Sequence, residues 1–565
     1  MSVDSKSPRL QALLADWRLP WFLLLLPVAL FLPALPIDET RYLAVAWEMR
    51  LHGDFLVPHL NGAPYSDKPP LLFWLINIGW LIAGMSAWAV RLGILAATFT
   101  SLFLFERLAR RLRGGVDNVH FAQNAALFLM GMIYFALFSD AIMFDVVLAT
   151  CVLVAMHGAL DLDAQNWGRG TLLLACGLGL GILAKGPVVL LDAGLAIALA
   201  PWWSDTARAH KGRWYACLGL GVLGGAAIAL AWAIPAAISG GHAYADAIFL
   251  HQTVDRMTKS FAHQRPLWWY FMVLPAMLLP WSLSLRAPWR AWKENVHIGK
   301  SSRFGLAWFL PAFAAFCLVS GKQPHYLLPI LPGLALYLAG VFEGANARLR
   351  GRLFGALLFL VGLAFAALPY LAAHPHDFGV LDRMLADGRL TESFLRVIAG
   401  VWPLWGALAA SLGLFVLLRG REFATPRPLA LASVATASLG MLALAQGIGP
   451  YVDVTPAALR IKQAQDSGQP IVHLAWHHGL FEFAGRLTQP LEKVNLPGLR
   501  AWCEAHPNGE IVTFYTKYTQ ITAKPELELP YRFGRIIFWR AADILAANDL
   551  LVPPKAVDDD DTPDD

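Results

Sequence analysis

Hydrophobic residues along this chain fall into long blocks separated by short polar and basic segments. The blocks run to roughly 16–22 residues, close to what a helix needs to cross a hydrocarbon core of ~30 Å. The pattern predicts spans near 19–36, 90–105, 121–139, 145–162, 170–184, 187–203, 214–238, 267–285, 304–320, 327–342, 353–373, 397–418 and 429–448, about thirteen in all. The block over 71–83 is demoted, because about 13 residues reach only ~20 Å at 1.5 Å per residue. It is expected in or near the interface, inside a long external loop over 37–88. Residues 39–52 read as a second interfacial helix, since Leu43, Trp47 and Leu51 recur every fourth residue.

Basic clusters orient the spans. Arg107, Arg110, Arg111 and Arg113 follow one block; Arg208, Lys211 and Arg213, then Arg348, Arg350 and Arg352, then Arg419, Arg421 and Arg427 mark later turns. Held on the cytoplasmic side, they place the N-terminus in the cytoplasm and the C-terminal segment outside. After the membrane domain over 1–449, the pattern changes. Strand-like runs over 471–475, 510–515 and 535–539 alternate with helical stretches over 477–486 and 497–505, which predicts a small external α/β domain over 450–557. The aspartate-rich residues 558–565 read as a disordered tail.

Composition narrows the class. The chain of 565 residues is 57% hydrophobic and only 15% charged, with a mean hydropathy of +0.50; an average soluble domain is nearer ~25% charged. A net charge of +5 is small for this length, and its basic residues carry topology rather than a nucleic-acid surface. Nucleic acid is therefore not an expected partner; membrane lipids are. Five cysteines make no disulfide framework. The first block lacks a small-residue cleavage site and reads as a retained span.

Four polar groups converge on the external face by this topology. Asp38-Glu39-Thr40-Arg41-Tyr42 opens a helix, where acids can simply complement the helix dipole. Tyr65-Ser66-Asp67-Lys68-Pro69-Pro70 reads either as a snorkelling anchor or as a cation held for a lipid phosphate. Asp145 precedes wholly apolar sequence and belongs at the membrane edge. The fourth group is dispersed: Lys185, His251, His263, Arg265 and Lys322 to Tyr326, where any single histidine reads equally as a solvated loop residue. Acids at 38, 39, 67 and 145 and bases at 41, 68, 185, 265 and 322 on one side suit a polyanionic lipid substrate.

Asp38-Glu39-x-Arg41-Tyr42, followed by Gly53-Asp54-Phe55-Leu56-Val57-Pro58-x-Leu60-Asn61-Gly62-x-Pro64-Tyr65-x-Asp67-Lys68-Pro69-Pro70-Leu71, closely resembles the first external loop of the bacterial aminoarabinose-to-lipid A transferases. This ArnT type is related to protein O-mannosyltransferases within the C-type, polyprenyl-phosphate-dependent glycosyltransferases. Weaker matches continue at Phe144-Asp145, Ala184-Lys185-Gly186-Pro187, the loop before Trp268-Trp269-Tyr270, and Lys322 to Pro329. The resemblance implies a polytopic α-helical membrane protein of the bacterial inner membrane with a small periplasmic α/β domain. It implies an inverting transfer of a sugar, such as 4-amino-4-deoxy-L-arabinose, from undecaprenyl phosphate to lipid A or a related envelope acceptor.

By matching motif positions, Asp38 would be the principal catalytic carboxylate, with Glu39 beside it and Asp145 as a second. Arg41, Tyr42 and Lys68 would hold the donor phosphate, with Lys322 and Tyr326 lining the same cavity; Tyr65, Lys185 and Arg265 are further candidates. The family also implies a divalent metal, whose ligands here would be Asp67 and His251. Departures are Asp67, where the family more often has Glu, and Ser66 in place of an aromatic residue. The chain shows no nucleotide-binding glycine fingerprint, in keeping with a lipid-linked donor. Two other readings stay open: a protein or glycan O-glycosyltransferase of the same superfamily, and a polyprenyl-lipid transporter. The transporter would call for charges at the bilayer midplane rather than at span ends.

Overall fold

A computed structural model describes residues 16–114, 118–249, 264–284, 299–344, 348–386, 392–475, 477–515, 523–532 and 534–547. His251, His263 and the acidic stretch 558–565 lie outside them. Among the described residues, eight helices are long and apolar enough to cross a membrane, joined by three shorter apolar helices, Arg18–Phe31, Leu71–Ala83 and Pro403–Arg419.

The differences from the expected spans have local causes. The stretch 121–139 is split into Asn118–Met130 and Ile133–Leu137. Gly131 lies at the break, where a Cβ would come within 2.4 Å of the Trp281 ring. The stretch 187–203 is broken into a 3-10 turn, Gly186–Val188, a π turn, Leu190–Gly194, and two short helices, Leu195–Ala198 and Ala200–Trp203. Gly186 sits at φ +78° and Pro187 has no N–H, so the helix ending at Lys185 cannot run on. Elsewhere small residues bring helices into backbone contact. A Cβ on Gly362 would meet the Ala410 nitrogen at 2.3 Å, and one on Gly406 the Ala366 nitrogen at 2.2 Å. That is how apolar helices associate where lipid offers no hydrophobic drive.

The helix Asp38–His52 covers the stretch 39–52 but lacks a single apolar stripe. Ten of its residues, Glu39, Thr40, Tyr42 to Met49 among them, are buried on every side rather than along one stripe. The C-terminal segment covers it: Trp47 Nε1 donates to the Leu487 carbonyl at 2.8 Å, and Arg486 lies over the Trp47 ring. The helix Leu71–Ala83 is one-sided, with Leu72, Phe73, Ile76 and Trp80 buried and Leu81 and Ile82 exposed.

A small hairpin, β1 (His59–Leu60) and β2 (Ala63–Pro64), lies between those two helices in sequence. The C-terminal strands are β3 (Ile471–Leu474), β4 (Glu492–Val494), β5 (Glu510–Tyr515), β6 (Leu527–Tyr531) and β7 (Gly534–Arg540). They form one sheet in the order β4-β3-β5-β7-β6, parallel around β3 and antiparallel around β7. Both faces are covered. Val512, Ile536 and Phe538 pack with Ile461 of the helix Thr455–Asp466; Val472, Ile511, Ile537 and Trp539 pack with Leu499 and Ile544. The helical reading of 477–486 shrinks to Glu482–Gly485, because His478 and Gly479 take φ of +51° and +75°. The edge strands β4 and β6 escaped the sequence reading, being short and charged or interrupted by Pro530.

Candidate active site

Asp38, Arg41 and Tyr42 occupy positions i, i+3 and i+4 at the start of one helix, so their side chains share a face. The Asp38 Oδ1 accepts from Arg41 Nη2 at 2.6 Å and from the Tyr42 hydroxyl at 3.2 Å. Lys68, on the loop leading into Leu71–Ala83, and His325 stand within electrostatic reach of the same carboxylate. Tyr65 and Asp67 act likewise on Arg41. An aromatic wall backs this group: the Tyr42 ring meets Phe144 edge-on at 4.8 Å, and Phe73 meets Phe144 at 5.5 Å and Tyr65 at 6.0 Å.

The second half of the site comes from two spans. Asp145 lies in the first turn of Phe144–Asp163 and Lys185 at the last residue of Trp167–Lys185, each at the end its charge favours. Their side chains meet at 2.6 Å, and the Lys185 ammonium lies 4.4 Å from the centre of the Tyr326 ring. His325 packs edge-on against Tyr326 and feels the charges of Asp145, Lys185, Asp38 and Lys68, which ties the two halves together. The structure thus gathers Asp38, Arg41, Tyr42, Tyr65, Asp67, Lys68, Asp145, Lys185 and Tyr326 at one end of the helical bundle.

Electrostatics set what Asp38 can do. Burial alone pushes its carboxyl up, but the Arg41 guanidinium, through its charge and hydrogen bond, and then Lys68 and His325 pull it down, leaving it below the ordinary carboxylate value. Asp38 is therefore an anion near neutrality and a weak base. It can orient Arg41 and balance local charge more readily than it can take a proton.

Glu39 is not part of this group. Its carboxylate is buried beneath the helix start and ion-paired to Arg91 at 2.5 Å, where it also accepts from the backbone of Leu35 and Ile142. Arg91, fully buried, donates in addition to the carbonyls of Leu32, Pro33 and Asp140. This network fastens the first span, the helix Ala87–Arg113 and the turn at Asp140; it is a structural tie. Lys322 also stands apart from this group. Its ammonium is buried and donates to the carbonyls of Arg265 and Val319, so it clamps a loop. Arg265 is exposed, and its backbone N–H bonds Ser320. For the divalent metal, Asp67 lies beside Arg41, a cation that competes for its charge, and His251 lies outside the described residues. Among the described residues, no three His, Cys, Asp or Glu side chains converge to hold a metal ion.

Three residues were missed. His325, between Pro324 and Tyr326, reads in the sequence as a solvated loop histidine. Arg91 had the signal of a lone cation in an apolar helix, where a partner is obligatory. Asp192, in the π turn, is 1% exposed, has no hydrogen-bond partner for either carboxylate oxygen among the described residues, and lies within reach of the Lys185 charge. An acid inside an apolar block was its signal.

Comparison with known proteins shows the family. The undecaprenyl phosphate-α-4-amino-4-deoxy-L-arabinose arabinosyl transferase of Edwardsiella ictaluri is 32% identical over 386 residues, 66% of this chain and 67% of that protein. The protein of the same name from Erwinia tasmaniensis is 28% identical over 540 residues, covering 89% of this chain and 94% of its own. The family described as dolichyl-phosphate-mannose-protein mannosyltransferase matches residues 67–237. The crystal structure of ArnT from Cupriavidus metallidurans, bound to undecaprenyl phosphate, superposes with a TM-score of 0.71 at 18% identity, covering 94% of this chain and 98% of that one, a likeness of fold. Fold and relatives together define a multi-pass glycosyltransferase of the bacterial inner membrane with C-type architecture. Within that class, the chain belongs to the undecaprenyl phosphate-α-4-amino-4-deoxy-L-arabinose arabinosyl transferases.

Proposed function

We propose that this protein transfers 4-amino-4-deoxy-L-arabinose from undecaprenyl phosphate to a phosphate of lipid A on the periplasmic face, with inversion at the anomeric carbon. In this reading about thirteen segments cross or enter the membrane, the N-terminus is cytoplasmic and the C-terminal sheet is periplasmic. The observation that carries it is the cluster of Arg41, Lys68 and Lys185 around two carboxylates at the end of the bundle, in a chain whose relatives are named for this transfer.

The chemistry follows from charge. As the acceptor phosphate oxygen forms its bond to the anomeric carbon, the bond from that carbon to the donor phosphate breaks and undecaprenyl phosphate leaves with the electron pair. Arg41 offers that phosphate a planar fork and Lys68 a point charge. Stabilising the leaving phosphate is the main contribution expected of the protein. Asp38 keeps Arg41 aimed, and Asp145 does the same for Lys185. A phosphomonoester acceptor is already ionised near neutrality, with a pKa of ~6, and needs no base. The weakly basic Asp38 therefore suits lipid A better than a serine or sugar hydroxyl, which would call for proton removal. That favours lipid modification over the protein O-glycosylation suggested by the mannosyltransferase match.

The test is reconstitution. Purified protein supplied with the undecaprenyl-phosphate-linked sugar is expected to glycosylate lipid A and to leave a serine-containing peptide and dephosphorylated lipid A unmodified. Transfer to the peptide instead would overturn the acceptor assignment.

A further inference from the structure

Away from the Asp38 cluster, a cavity of about 300 Å³ opens where the last span meets the sheet. Three arginines line it, Arg396, Arg532 and Arg535, against a single carboxylate, Glu528. Glu528 is taken by Arg535, its neighbour across the β6–β7 hairpin. Arg396 and Arg532 have no carboxylate partner among the described residues, so the described lining carries an excess of two guanidinium charges.

The cavity is built rather than incidental. Arg532 follows Tyr531, which pairs with Gly534 across the β6–β7 turn, and takes a left-handed backbone with φ of +51°. Asn or Gly takes that conformation at less cost than Arg. Its N–H donates to the carbonyl of Tyr451, next to the last residue of the apolar helix Arg427–Val452, which pins the turn onto the end of the span. Arg396 reaches the same cavity from the helix Glu392–Ala399, whose Leu395 and Val397 are buried beneath it. Trp402, 57% exposed, donates its backbone N–H to Gln446 Oε1 in the same helix as Tyr451; exposed tryptophans of this kind are enriched at membrane–water interfaces. The cavity thus borders the end of an apolar span beside an exposed aromatic residue of the kind found at membrane–water interfaces.

We propose that this cavity is a binding site for the headgroup of a lipid phosphomonoester. Two uncompensated guanidinium groups match the −1.5 to −2 charge of a monoester phosphate, whereas a phosphodiester brings about one charge. The acceptor proposed above belongs to this chemical class, but the site does not depend on that reading, since none of its residues belongs to the Asp38 cluster.

The test is binding to the full-length protein in detergent, with phosphatidic acid as the monoester probe, phosphatidylglycerol as the diester and inorganic phosphate as the free anion. Phosphatidic acid is expected to bind at least tenfold more tightly than either of the others. The double variant Arg396→Gln/Arg532→Asn, in which Asn keeps the left-handed turn, is expected to lose that preference, while Asp38→Asn keeps it. Should the double variant fail to fold, the exposed Arg396→Gln alone is expected to weaken phosphatidic acid binding at least threefold. Equal binding of the two lipids, an affinity unchanged in the arginine variants, or inorganic phosphate binding as tightly as phosphatidic acid would each overturn the proposal. Loss of transfer activity would not touch it, because the readout is binding.

Discussion

Asp145 and Lys185, 40 residues apart on adjacent spans, form an ion pair of 2.6 Å whose ammonium also faces the ring of Tyr326. The carboxylate is 2% exposed and the ammonium 15%, so each charge depends on the other in a region of low dielectric. Removing one partner leaves the other buried and uncompensated, at about 3–5 kcal/mol. Asp145→Ala and Lys185→Ala should each lower the melting temperature of the detergent-solubilised protein. The double variant should be destabilised by clearly less than their sum. Additive losses in a double-mutant cycle would show that the pair is not coupled.

Neighbouring acids at the start of one helix should respond in opposite ways. Glu39 is sealed against a fully buried Arg91, so Glu39→Gln should cost about 3–5 kcal/mol of stability while leaving turnover per folded molecule near that of the wild type. Asp38 is 45% exposed on its side chain and paired to a partly exposed Arg41. Pairs of that kind contribute about 0–1 kcal/mol. Asp38→Asn should therefore fold normally and lose transfer. Thermal melts alongside single-turnover rates separate the two cases.

The pH dependence of stability should carry the mark of a buried acid in the C-terminal segment. Burial pushes the Glu482 carboxyl up to about 8, and the same burial holds His473 down at about 4. His477, 3.3 Å from Glu482, is also held well below its ordinary value by burial, so both members of that contact are neutral near pH 7. A raised acid contributes stability that is complete below its unfolded value of ~4.3 and is lost as pH rises toward 8. Glu482→Gln should accordingly gain on the wild type as pH is raised from 5 to 8. The two histidines work in the other direction, costing stability as pH falls below ~6.5. Melting temperatures of both proteins across that range decide the matter; a constant difference would contradict it.

What the sequence disclosed was what is local. Asp38, Arg41 and Tyr42 lie within one helical turn, and the Tyr65 to Pro70 stretch carries its own chemistry, so the first half of the site could be read from a short string. Asp145 and Lys185 could be singled out as charges at span ends, but not as partners. Glu39 was misplaced because its fate depends on Arg91, 52 residues away, which captures it under the helix. Lys322 is placed beside the donor phosphate by the family resemblance of its motif, whereas the backbone carbonyls that hold its ammonium are not visible in a sequence. The helix Asp38–His52 reads as one-sided because Leu43, Trp47 and Leu51 recur every fourth residue. It is also covered by the C-terminal segment, with Gly479 seated so closely that an added Cβ would come 3.3 Å from the Arg41 Cα. Such long-range cover leaves no periodicity to read.

The central claim is that the Asp38 cluster moves the sugar onto lipid A, and mass spectrometry of lipid A from living cells tests it most directly. In a strain lacking its own aminoarabinose transferase but making the lipid-linked donor, expression of this chain should add the mass of 4-amino-4-deoxy-L-arabinose to lipid A. The Asp38→Asn variant, expressed to the same level in the membrane, should add none. Unmodified lipid A with the wild-type chain, or full modification with the variant, would contradict the account.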